Sequence, residues 1–116
     1  MSFSTVPVAN DVTQYDVVKY NSALSKWVVC TDNTDQLIGV VNEAPFEENG
    51  QRVALVYWGG LTSAIADETI INQGGFIGVR DGRVYVESVN KYGIVQPIAY
   101  DQTAINAGDL VNIHLR

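Results

Sequence analysis

The stretch Gln51-Arg52-Val53-Ala54-Leu55-Val56-Tyr57-Trp58-Gly59-Gly60 decides the fold. Side chains alternate along a strand, so Val53, Leu55 and Tyr57 share one face and Ala54, Val56 and Trp58 the other. Both faces are apolar. Such a strand is either central in a sandwich or barrel or covered by another subunit. Gly59 and Gly60 interrupt it, and Leu61 to Ala66 reads as a further short strand. The chain's end echoes the motif: Asp109-Leu110-Val111-Asn112-Ile113-His114-Leu115 follows Gly108 as the central strand follows Gly50.

Working outward, strands are expected at Tyr15–Tyr20, Lys26–Thr31, Gln36–Asn42, Phe76–Arg80, Arg83–Glu87, Ile94–Tyr100 and Asp109–Leu115. Polar turns separate them. Asp81-Gly82 is the strongest hairpin signal, because this pair supports positive φ in a type I′ turn. Gly39 inside a strand marks a bulge or a close backbone approach. Pro97 breaks its strand. The only helical candidate is one turn at Thr103–Ala107, too short to stand alone. Strands every eight to twelve residues or so point to an all-β class, a compact barrel or sandwich.

Two stretches follow one plan. Lys26–Thr31, Leu37–Val41 and Val53–Tyr57 match Arg83–Ser88, Val95–Ala99 and Val111–Leu115. Gly39 is as far from Gly50 as Pro97 is from Gly108. The pattern reads as an internal duplication of a four-strand unit, with pseudo-repeats at about 15–59 and 74–116 inside one β domain, 15–116. Chance similarity between β meanders is the other reading. Residues 1–14 precede this domain. They form either an edge strand closing the domain's own barrel or an extended N-terminal arm. The spacing of Phe3, Val6 and Val8 around Pro7 predicts the arm, lying on a neighbouring chain by strand addition.

With 116 residues the chain has room for one core. Charged residues are 17% of it, below the usual quarter, which suggests that a partner covers part of the surface. A net charge of −6 with scattered Lys and Arg argues against nucleic acid. No apolar run is long enough for a membrane helix, and Met1-Ser2-Phe3-Ser4-Thr5 lacks the features of a signal peptide. Synthesis in a cytosol is expected.

Chemistry-bearing residues are few. Cys30, the lone cysteine, reads as a small buried strand residue. His114, the lone histidine, reads as core-facing or interfacial rather than catalytic. The pairs Glu47-Glu48, Asp67-Glu68 and Asp32 with Asp35 read as solvated turn charges. Calcium at Asp32–Asp35 is the sharper alternative, without the Gly and terminal Glu of an EF-hand loop. No nucleophile–base set, metal set or phosphate loop is evident, so no enzyme, metal or cofactor is expected. Trp27, Trp58, Tyr57, Tyr85 and Tyr100 could stack on a sugar or a base, or serve as core and interface.

Ile38-Gly39-Val40-Val41, the acidic turn to Asn49-Gly50, Val53-Ala54-Leu55-Val56, Gly59-Gly60 and Ala107-Gly108-Asp109-Leu110-Val111 together resemble the small head decoration, or capsid cement, proteins of tailed bacteriophages. The resemblance covers about residues 15–116. It departs at Pro97 and at the bulky Trp58. It implies a non-enzymatic virion protein on the outer capsid surface, assembled in the host cytoplasm. Its partners would be the major capsid protein and itself, as a homotrimer or a dimer. Phe3, Val6, Pro7, Val8, Tyr57 and Trp58 are then the expected partner interface. The alternative function is a carbohydrate-binding module of a phage tail or fibre.

Overall fold

Val, Ile, Tyr and Trp at alternating positions fit a pleated, half-buried surface, and ten strands form among the described residues. A computed structural model describes residues 2–34, 36–70, 75–88, 92–95 and 104–116. The strands are β1 (Ser2–Pro7), β2 (Val17–Asn21), β3 (Lys26–Val29), β4 (Ile38–Val41), β5 (Phe46–Glu48), β6 (Gln51–Ile65), β7 (Phe76–Arg80), β8 (Arg83–Glu87), β9 (Gly93–Val95) and β10 (Leu110–Leu115). No helix occurs among the described residues. Pro97, Tyr100 and Thr103 lie outside them, so the broken strand and the helical turn do too, in part.

The central strand does not stop at Gly59-Gly60. It continues to Ile65 as a single 15-residue strand, β6. Gly60 takes a φ of 83°, a value that costs a residue without Cβ little, and there the strand changes neighbours. Before Gly60 it pairs with β1 on one edge and with β4 and β5 on the other. After it, β6 pairs with β10. One antiparallel sheet results, in the order β3-β2-β4-β6-β10-β9-β7-β8, curled into a half-barrel.

The N-terminal residues correct the expectation of a free arm. β1 pairs antiparallel with β6 from Phe3↔Tyr57 to Pro7↔Val53. Val8 donates its N–H to the Arg52 carbonyl (3.0 Å), and Arg52 Nη2 donates to the Val12 carbonyl (2.8 Å). Val8 and Val12 are fully buried. The physical reason is volume: with Val18, Val41, Ala54 and Val56 they fill one apolar interior. Pro7, lacking a donor, takes the last place of its strand.

The two halves share one connectivity. β2 and β3 form a hairpin, β2 pairs with β4, and β4 with the first part of β6. Likewise β7 and β8 form a hairpin, β7 pairs with β9, and β9 with β10. β1 flanks the first set and the second part of β6 flanks the other. Single parallel bridges join the ends, Val8 to Trp27 and Ala66 to Val84. The backbone bonds beside them correspond as well. Val8 N–H reaches the Arg52 carbonyl and Ala66 N–H the Asp109 carbonyl, while Ala9 and Asp67 donate to Trp27 and Val84. The correspondence begins at residue 2, not 15, and it sets Gly39 against Gly93, not against Pro97. Both glycines pass close to backbone: a Cβ at Gly39 would lie 3.1 Å from the Tyr57 oxygen, and one at Gly93 would fall on the His114 carbonyl.

Gly50 and Gly108 both have positive φ, 74° and 91°, at the turns leading into the main strands. Asp81 and Gly82, at 51° and 75°, make the hairpin turn that their sequence predicted. β5 was not anticipated; Phe46–Glu48 read as loop but pairs with the start of β6.

Candidate interaction surface

Strand alternation and cross-strand register place four residues in one row across the strands: Val17, Val40, Tyr57 and Phe3, each paired with the next. The second half aligns Phe76, Ile94, His114 and Leu61 in the same way. In the first row Val17 and Val40 are fully buried, while Phe3 is 54% exposed. In the second, Phe76 and Ile94 are only half-buried, His114 is exposed and Leu61 is 54% exposed. His114 is therefore a surface residue, not a core one.

The residues expected to meet a partner divide. Phe3 and Tyr57 come together, stacked with ring centroids 5.3 Å apart and planes at 23°. Val6 and Pro7 are half-buried, Val6 against the first-half interior. Val8 is sealed inside its own chain and cannot touch a partner. Trp58 points to the other face of β6, half-buried against the first-half interior.

The tip of the β7–β8 hairpin docks on the first half: Val17 donates to the Gly82 carbonyl, Gly82 to the Cys30 carbonyl and Asp81 to the Thr31 carbonyl, each at 2.8 Å. Asn33 adds two bonds, accepting from Val79 N–H (2.8 Å) and donating to the Tyr85 hydroxyl (3.1 Å). A Cβ at Gly82 would lie 2.9 Å from Val29 Cγ1, so the tip fits by lacking one. The corresponding tip of the β2–β3 hairpin, Ser22-Ala23-Leu24-Ser25, is exposed throughout, Leu24 at 58%.

Beside this junction lies a cleft of about 350 Å³, lined by Thr34, Gln36, Leu37, Trp58, Tyr92 and Arg116 among others. The Tyr92 hydroxyl accepts from Thr34 N–H and donates to the Thr34 carbonyl at 2.7 Å, which ties the halves across the cleft wall.

Charges fall largely outside the cleft. Glu87 is held below the usual carboxylate range, first by the Ser88 N–H (2.9 Å) and then by the Tyr85 hydroxyl (3.0 Å). Arg80 pairs with Asp67 at 2.9 Å and lies over the Tyr85 ring. Burial pushes the Cys30 thiol up; its Sγ donates to the Asp32 carbonyl. Glu47 and Glu48 are exposed on β5 rather than in a turn. Asp32 is exposed, and Asp35 lies outside the described residues. Among the described residues no three His, Cys, Asp or Glu converge as a metal site. No described helix is long and apolar enough to cross a membrane.

Sequence reasoning missed Leu24, Leu37, Leu61 and Tyr92. Leu24 carried a signal: a large apolar residue inside a polar turn. Leu61 carried one too, following the Gly-Gly pair. Tyr92 carried none, because its partner Thr34 is remote in the chain. No family model, no curated protein and no solved structure matches this chain.

Proposed function

We propose that the chain is a non-enzymatic structural module that binds the outside of an assembled phage capsid, bridges major capsid protein subunits and associates with itself, as a homotrimer. The observation that carries this reading is the exposed apolar set Phe3, Leu61, Phe46 and Leu110 on a chain with few charges. Apolar surface of that kind favours a protein partner. The resemblance of Ile38–Val41, Asn49–Val56 and Ala107–Val111 to capsid cement proteins supports the choice of the capsid as that partner. Many copies on a lattice would lock it even at modest affinity per copy. The two halves are copies of one unit, a reading supported by their shared connectivity and matching hydrogen bonds.

The test is co-sedimentation with shells of the capsid protein encoded in the same genome. Saturable binding, weakened at least about tenfold by Phe3→Asp, supports the reading. Absence of binding to both unexpanded and expanded shells overturns it. The cleft beside Trp58 and Arg116 favours a second reading, a carbohydrate module. Glycan-array binding lost on Trp58→Ala would favour that alternative.

A further inference from the structure

Two turns of this chain are built alike and sit in opposite surroundings. Asn49-Gly50 joins β5 to β6 with φ of 51° and 74°, and Asp81-Gly82 joins β7 to β8 with φ of 51° and 75°. An Asn or Asp followed by Gly can cyclise. The next backbone nitrogen attacks the side-chain carbonyl carbon, and glycine lacks the Cβ that would hinder the approach. In such a turn that nitrogen must first rotate toward the side chain, so the surroundings decide the rate. At Asp81-Gly82 the rotation breaks the bond from Gly82 N–H to the Cys30 carbonyl (2.8 Å). It also disturbs the bonds from Asp81 N–H to the Thr31 carbonyl and from Val17 N–H to the Gly82 carbonyl, both 2.8 Å. At Asn49-Gly50, among the described residues, no backbone bond outside the β5–β6 ladder is at stake. Asn49 and Gly50 are exposed, and a Cβ at Gly50 would meet nothing within 4 Å. β5 has only three residues, all exposed, so opening it costs little.

We propose that Asn49 is a site of spontaneous modification in the folded chain, a deamidation that water completes without an enzyme. The Gly50 nitrogen gives its proton to solvent base and bonds to Asn49 Cγ, while the Cγ–Nδ2 bond breaks and ammonia leaves. Water then opens the cyclic imide on either side. Opening at Cγ leaves an aspartate in the normal chain. Opening at the former backbone carbonyl leaves an isoaspartate, which routes the main chain through Cγ and adds a methylene to it. Either product places one more negative charge beside Glu47 and Glu48. The isoaspartate also lengthens a turn whose register is Glu48↔Gln51, Glu47↔Arg52 and Phe46↔Val53. The longer turn no longer fits that register, so β5 detaches while β6 stays held by β1, β4 and β10. The turn is thus a one-way clock that frees Phe46 from its place beside Val53. This inference is independent of capsid binding.

Ageing of the full chain, followed by peptide mapping, tests the proposal. Folded protein is kept at mildly alkaline pH below its thermal midpoint, beside a portion in concentrated urea. In the folded portion the Asn49-Gly50 peptide is expected to gain one dalton and to split into two chromatographic species, aspartate and the more abundant isoaspartate. Asn49→Gln, which would have to form a larger ring, should give neither, with circular dichroism verifying its fold. Asp81-Gly82 should isomerise to isoaspartate in urea, and at least about tenfold more slowly in the folded portion. Hydrogen exchange on the aged protein should show the Phe46, Glu47 and Glu48 amides losing protection while those of Val56 and Val111 keep theirs. Asn49 that converts in urea but not in the folded chain overturns the proposal. An Asp81-Gly82 turn that isomerises as fast folded as unfolded overturns the role given to the surroundings. Full conversion to isoaspartate with unchanged β5 protection overturns the clock.

Discussion

The Val17 N–H donates to the carbonyl of Gly82 at 2.8 Å, joining the first strand of one hairpin to the tip of the other. The bond works because the Gly82 position has no room for a side chain: a Cβ there would meet Val29 and Asp16. Gly82→Ala should therefore cost more than the roughly 1 kcal/mol expected of a Gly-to-Ala change at a turn. Hydrogen exchange should show the Val17 and Gly82 amides losing protection together. Unchanged protection would mean that the tip tolerates the methyl.

Removing residues 2–12 takes away β1 and the buried Val8 and Val12. Each buried valine contributes about 1.5–3 kcal/mol, a large share of the stability of a domain this size. The truncated chain should be unfolded or molten by near-ultraviolet circular dichroism. Val8→Ala in the full chain should lower stability by about 1–2 kcal/mol in urea titration.

Gly93 and Gly50 offer a contrast. Both have positive φ, 138° and 74°. At Gly93 a Cβ would fall on the His114 carbonyl, whereas at Gly50 nothing lies within 4 Å. Gly50→Ala should cost only backbone strain, about 1 kcal/mol. Gly93→Ala must separate β9 from β10 and should cost several times as much. Equal denaturation midpoints for the two variants would contradict this.

Tyr92→Phe removes a hydroxyl that both accepts from and donates to the Thr34 backbone. A loss of about 1–3 kcal/mol is expected, since the deletion leaves backbone groups without that partner. The aromatic body is retained, so strand content in far-ultraviolet circular dichroism should not change.

The Glu87 carboxyl has a lowered pKa in the folded chain. Its contribution is present above the unfolded value, about 4.3, and is lost as pH falls through the folded value. Between neutral pH and about pH 3 the wild type should therefore lose more stability than Glu87→Gln. Parallel pH profiles for the two proteins would remove Glu87 from the acid response.

Alternation made much of the fold legible. Val53–Trp58, Phe76–Arg80 and Asp81-Gly82 were read correctly because short-range pattern and turn chemistry decide them. The N-terminal strand was misread because Phe3, Val6 and Val8 look alike in sequence. Only the tertiary arrangement separates exposed Phe3 from Val8, which fills space left by β2, β4 and β6. Gly59-Gly60 misled for a related reason: a glycine pair can end a strand or let it bend, and the presence of β10 beside Leu61–Ile65 decides. Of the expected interface, Phe3 and Tyr57 were each legible as interface candidates, but not their pairing across β1 and β6.

β6 closes the first set of strands and opens the second, with the handover at Gly60. A fold in which each unit passes its last strand on as the next unit's first has no built-in length. Appending a further unit after Leu115 would require only that β10 bend and continue as β6 does. The architecture itself thus sets no number of such units, and longer concatenated chains of the same design are accessible to engineering.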